Sequence, residues 1–168
     1  MELMVLKPKR IKGFNFAYVT NTGSYKKLSN TVNYLENILE KNDIKFDNVV
    51  SVLMDDPNVT EESQLKCELG VILRDYNENN PALAADIKIK RIDDFVGLVF
   101  DYTGEIQGID NYYKAIIKKM TEASYIIAGF PIEFYIKSPI NSEKDGLCHT
   151  RIIIPIFYTW ENKREIND

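Results

Sequence analysis

A chain of 168 residues with 45% hydrophobic side chains suits one domain, or two small halves sharing a core, and is too apolar for a disordered segment. Its formal net charge of −4, from 25 acidic and 21 basic residues, lacks the basic face of a nucleic-acid reader, so no direct nucleic-acid binding is expected. No run approaches the ~20 apolar residues of a membrane span, and Lys7 and Pro8 cut off the apolar start of the chain before it reaches secretory length; a cytoplasmic protein with no membrane partner is the expectation.

Residues 14–21 alternate as a strand, with Phe14, Phe16 and Tyr18 on one side and Ala17 and Val19 on the other. Thr22-Gly23-Ser24 ends it, and Ser24 is placed to cap a following helix. Tyr25, Leu28, Val32, Leu35, Ile38 and Leu39 then recur at helical spacing. A strand over 49–54 leads into Asp55-Asp56-Pro57-Asn58, a turn because Pro cannot continue a central ladder and Asp and Asn bond their own backbone. Residues 66–73 form the antiparallel partner strand. The stretch 75–85 reads as a polar connector, and 87–92 alternates as a further strand or lead-in. A strand over 95–102 opens the second half, Ile109, Tyr112, Tyr113, Ile116, Ile117 and Met120 form a helix face, and 131–136 and 150–158 are later strands. A charged loop over 138–146 separates these two, and the tail from 161 is expected to fray.

The two halves echo each other. Thr22-Gly23 and Thr103-Gly104 lie 81 residues apart (104 − 23 = 81), each at the end of a short apolar strand and each followed by a helical pattern. Residues 52–57 are answered by 133–139, and 69–73 by 152–156. The expected class is α+β. Tandem pseudo-twofold β-α-β-β repeats, at about 10–75 and 87–160 of a single domain 1–168, form an antiparallel sheet. Two helices pack on one face, and a ligand groove lies between the halves. Each copy alone would expose an apolar face, so burial favours joining them.

Aromatic side chains on or beside strands are candidate ligand walls: Phe16, Tyr18, Phe100, Tyr135, Phe157 and Trp160. Most such residues pack a core, but apolar walls with a few polar groups also make pockets. Glu133 lies in an apolar strand two residues before Tyr135; buried among aromatics it would hold its proton more tightly and could act as an acid or a cation's partner. The repeat pairs Glu68 with Arg151 (151 − 68 = 83), as a salt bridge across the groove or as a polar pair for a zwitterionic or anionic ligand. No catalytic residue, metal ligand or cofactor is assigned. His149 follows Cys148, but strand neighbours point to opposite faces. Cys67 and Cys148 read as buried free thiols, and Asp55-Asp56 read as a turn.

Thr22-Gly23-Ser24-Tyr25, Asp55-Asp56-Pro57 and Lys66 followed by Gly70-Val71 resemble the GyrI-like family, which includes effector-binding domains of multidrug-responsive transcription regulators. Pro131, Glu133 and Tyr135, then Thr150, Arg151 and Pro155, are similar to its closing strands. Ser24 stands where Pro is usual and Lys66 where Arg is common. Arg151 stands where the family's glutamate precedes the last apolar strand, so that carboxylate's role does not transfer. The resemblance, over about 10–160, implies an aromatic groove for amphipathic, often cationic, small molecules. The expected function is non-enzymatic binding by a stand-alone effector-binding or sequestering protein, with no helix-turn-helix flanking the domain. A separate regulator or a topoisomerase is the protein partner the resemblance implies. Its alternatives are a protein inhibitor of DNA gyrase and a hydrolase using Glu68 or Glu133.

Overall fold

The computed structural model describes residues 6–25, 27–76, 83–137 and 146–158. The expectations for 77–82 of the connector, for 138–145 of the charged loop, and for the two ends with Trp160 lie outside these residues. The described residues form eight β-strands and two α-helices, with every strand pairing antiparallel inside its own unit. The class is α+β. In chain order the elements are β1 (Pro8–Ile11), β2 (Phe14–Thr22), α1 (Ser29–Lys41), β3 (Phe46–Leu53), β4 (Lys66–Leu73), β5 (Lys88–Ile92), β6 (Phe95–Glu105), α2 (Ile109–Glu122), β7 (Ile132–Lys137) and β8 (Leu147–Pro155).

They divide into two compact units, Gly13–Asp93 and the combination of Met1–Lys12 with Asp94–Asp168. In the first, the strand order is β3-β4-β2-β5. Its helix α1 lays Leu35 and Leu39 on Ala17, Val19, Val71 and Leu73, one face of the sheet. In the second, the order is β1-β6-β8-β7, and α2 lays Ile109, Ile116 and Met120 on Leu98, Phe100, Ile152 and Ile154. In both, the apolar stripe of the helix meets the apolar parity of the strands.

Equivalent positions in the two units can be read from the registers. Tyr18 faces Gly70, and Val99 faces Ile153, a shift of 81 on the first strand (99 − 18) and 83 on the second (153 − 70). Ser51 faces Leu69, and Glu133 faces Ile152, a shift of 82 on the third (133 − 51). The buried helix pairs Leu35, Leu39 and Ile116, Met120 differ by 81 (116 − 35; 120 − 39). Ser51 therefore occupies in one unit the place of Glu133 in the other, Leu53 that of Tyr135, and Val32 that of Tyr113.

Several boundaries differ from the sequence reading. Helix α1 begins at Ser29 and its first turn has no side-chain cap, so Ser24 is not the N-cap. The carbonyl of Ser24 instead accepts the Lys27 N–H at 3.1 Å. β1 was not foreseen; it is short and interrupted by charge, and it is held by β6. β8 runs from Leu147 and stops at Pro155, earlier than 150–158. Ile117 is exposed rather than on the buried helix face. The two Thr-Gly pairs also do different work. Gly23 has a φ of +124°, a conformation that favours glycine, and its N–H donates to the Leu65 carbonyl at 2.7 Å. Gly104 lies within β6.

Candidate functional site

The alternation of β7 sends Glu133 and Tyr135 to the same side of the sheet. They face Ile152 and Thr150 on β8, and Ile152 belongs to the cluster packed on α2. That side is therefore the helix side. From α2, Tyr113 packs against this cluster one turn before the buried Ile116. The Tyr113 hydroxyl donates to Glu133 Oε1 at 2.7 Å, and the Tyr135 hydroxyl donates to Oε2 at 2.8 Å.

Glu133 is only 6% exposed. Burial pushes its pKa up, the two tyrosine hydrogen bonds pull it partly back, and Asp110 adds a small push upward. Each carboxylate oxygen thus has a neutral donor, and neither of these two hydrogen bonds supplies a positive charge. A buried carboxylate in this state favours a cationic partner, because desolvation penalises an unpaired charge. The cluster under α2 holds further tyrosines. Tyr102, Tyr112 and Tyr125 also pack on the α2 cluster, and the Tyr102 and Tyr112 ring centroids are 5.2 Å apart at 45°. The Tyr112 hydroxyl donates to the Asp101 carbonyl at 2.9 Å. Aromatic faces beside a carboxylate are chemistry suited to an organic cation.

The other sequence candidates fall elsewhere. Phe100 is buried in the core under α2. Arg151 is exposed, on the strand parity opposite to Ile152. Its guanidinium donates to Asp101 through Nε at 2.9 Å and Nη2 at 3.3 Å, and His149 Nε2 stands 3.6 Å from the same carboxylate. Phe157 is 66% exposed. In the other unit, Phe16 is buried and stacks on Tyr18 with centroids 5.2 Å apart. Lys90 Nζ lies 4.7 Å above the Tyr18 ring and is ion-paired with Glu68. Glu68 and Arg151 therefore each hold a charge partner from their own unit. Phe16, Tyr18 and Glu68 alternate with Ala17, Val19, Leu69 and Val71, the side that packs on α1, so they face away from that helix.

The sequence reading placed Tyr113 on the helix face but not at the site. The available signal was a tyrosine on the apolar stripe of α2 where α1 has Val32. Cys148, buried with its thiol donating to the Gly104 carbonyl at 3.2 Å, also lies within electrostatic reach of Glu133. Burial is the main cause of its raised pKa, and Glu133 contributes.

No curated protein matches the sequence. Among solved structures, the C-terminal domain of EcmrR is similar, with a TM-score of 0.77 and 14% identity over 94% of this chain and 99% of that one. EcmrR in a complex with DNA gives a TM-score of 0.77 and 14% identity over 92% of this chain, which spans 58% of the EcmrR chain. SAV2435 bound to tetraphenylphosphonium gives a TM-score of 0.59 and 10% identity over 96% of this chain and 99% of that one. These likenesses show the fold. The model of the GyrI-like small molecule binding domain matches residues 6–156, nearly the whole helix-and-sheet framework just described, and the chain belongs to that family.

Proposed function

We propose that this protein binds a lipophilic organic cation at Glu133, with Tyr113 and Tyr135 positioning the carboxylate and the neighbouring tyrosines supplying aromatic surface. It would do so without a reaction of its own, as an effector-binding or sequestering protein. The observation that carries this reading is the comparison of equivalent places in the two units. Where one has Glu133, Tyr113 and Tyr135, the other has Ser51, Val32 and Leu53. The same helix-on-sheet packing is therefore built without a carboxylate, so the fold does not require one. Burying it costs stability, and a cationic ligand offsets that cost.

The similarity to SAV2435, whose structure contains tetraphenylphosphonium, suggests a probe. Titration of tetraphenylphosphonium into the wild type and Glu133→Gln, followed by calorimetry, tests the reading. Glu133→Gln keeps the shape and removes the charge. Its affinity is expected to fall about tenfold or more, the effect of losing a close charge pair. Equal affinity in a folded variant would reject the carboxylate as the cation's partner. The likeness to EcmrR, seen in a complex with DNA and spanned by this chain over 58% of its length, supports a role in transcription regulation; action through a separate DNA-binding regulator is part of the proposal.

A further inference from the structure

On the sheet face away from α1, a side chain of the outermost strand reaches across its neighbour. Lys90 of β5 stands opposite Phe16 on β2, and Glu68 of β4 stands opposite Thr20. Tyr18 lies between those two positions on the same face. β2 separates β4 from β5 in the strand order, so Lys90 crosses it diagonally to reach Glu68. On the way its Nζ lies 4.7 Å from the centre of the Tyr18 ring, and it ends in an ion pair with the carboxylate. The fully buried Phe16 stacks on Tyr18 at an interplanar angle of 13°. An alkylammonium of the chain itself thus already contacts a ring and a carboxylate, the two groups that recognise such cations.

Neither charged group is sealed from water. The Lys90 side chain is 39% exposed and that of Glu68 14%, so an ammonium from solution can compete for the same carboxylate. Nor does the fold demand the arrangement. By the strand equivalences, Phe16, Tyr18 and Glu68 correspond to Gly97, Val99 and Arg151 in the other unit (97 − 16 and 99 − 18, both 81; 151 − 68 = 83). The lysine facing Gly97 there, Lys9, is exposed. The same strand pairing is therefore built with no ring and no carboxylate at these three places.

We propose that Tyr18 and Glu68 form a second cation site, for small primary alkylammonium groups, and that Lys90 is its built-in competitor. The inference does not rest on the Glu133 reading. A ring contact and a partly exposed ion pair together favour the docked lysine over the released one by about tenfold. A site free for that fraction of the time binds an outside ligand about tenfold more weakly. The probe is butylammonium, which repeats the end of a lysine side chain, titrated at constant ionic strength and followed by NMR. In the wild type, high millimolar probe should move the Lys90 ε-methylene signals away from the Tyr18 ring-current position and shift amide signals of β2, β4 and β5. Lys90→Ala should bind the probe about tenfold more tightly. Lys90→Arg keeps a cation in place and should bind as the wild type does. So should Lys88→Ala, which removes an exposed charge from the same face of β5. Adding Glu68→Gln to Lys90→Ala should abolish the gain. A plain structural brace predicts instead that Lys90→Ala melts lower and takes up no amine, and that result overturns the proposal. A gain that survives Glu68→Gln, or amide shifts confined to α2, β7 and β8, does the same. Should Lys90→Ala fail to fold, the wild-type titration decides alone: Lys90 signals that never move reject the competitor.

Discussion

Glu133 carries opposite demands of stability and binding, and pH separates them. An unfolded glutamate titrates near 4.5, and burial raises that value in the folded protein. Between the two values the folded state holds more protons than the unfolded one, so stability falls as pH rises through that window. Glu133→Gln removes the ionisation. Its melting temperature is expected to exceed that of the wild type above the window, with the gain shrinking in acid; thermal melts across pH check this. Cation binding should run the other way, weakening in the wild type as pH drops below the raised pKa, up to about tenfold per unit, and staying flat in the variant. The sequence made Glu133 legible as a carboxyl among aromatics. It did not reveal Tyr113 as its partner, because a tyrosine on an apolar helix stripe looks like core. Nor did it reveal that Glu68 takes Lys90 and Arg151 takes Asp101, since those partners depend on neighbouring strands whose register is not printed in the local pattern.

Elements were readable where backbone chemistry is local and less so where tertiary contacts decide. The turn at Asp55 is an example of the first. Asp56 Oδ1 accepts the Asn58 N–H at 2.8 Å, as the sequence suggests, whereas Asp55 Oδ2 accepts the N–H of Lys66, 11 residues on, at 2.7 Å. What the sequence hides is the tie from 30 residues away: the Tyr25 hydroxyl donates to the Lys66 carbonyl at 2.7 Å and accepts the Asp55 N–H at 3.1 Å. Tyr25→Phe should cost about 1–2 kcal/mol, because both bonds go; denaturant unfolding measures it. The start of α1 at Ser29 was missed for the same reason, since Tyr25 is engaged with this turn rather than with the helix. In β4, Gly70 makes room for its neighbours. A Cβ there would come within 2.1 Å of the Ala17 carbonyl and 2.7 Å of the Phe16 ring. Gly70→Ala is expected to destabilise by about 1–3 kcal/mol through overpacking, and to disturb the stacking of Phe16 on Tyr18.

At the scale of the whole chain, two units with the same strand order and the same helix placement differ in what they bury. One carries the carboxylate and tyrosines, the other an apolar set with Ser51. Ligand binding stabilises most the regions that hold the ligand, so tetraphenylphosphonium should slow amide hydrogen exchange chiefly in α2, β7 and β8. Protection centred on α1 and β3 would move the site to the other unit. That other unit is not without cation chemistry. Its Lys90 already rests over a tyrosine ring and against a carboxylate, a tethered guest supplied by the chain itself. Lys90→Met would evict it, so the variant is expected to melt lower and to gain millimolar uptake of small alkylammonium ions, turning a self-quenched half of the molecule into a second, engineered receptor.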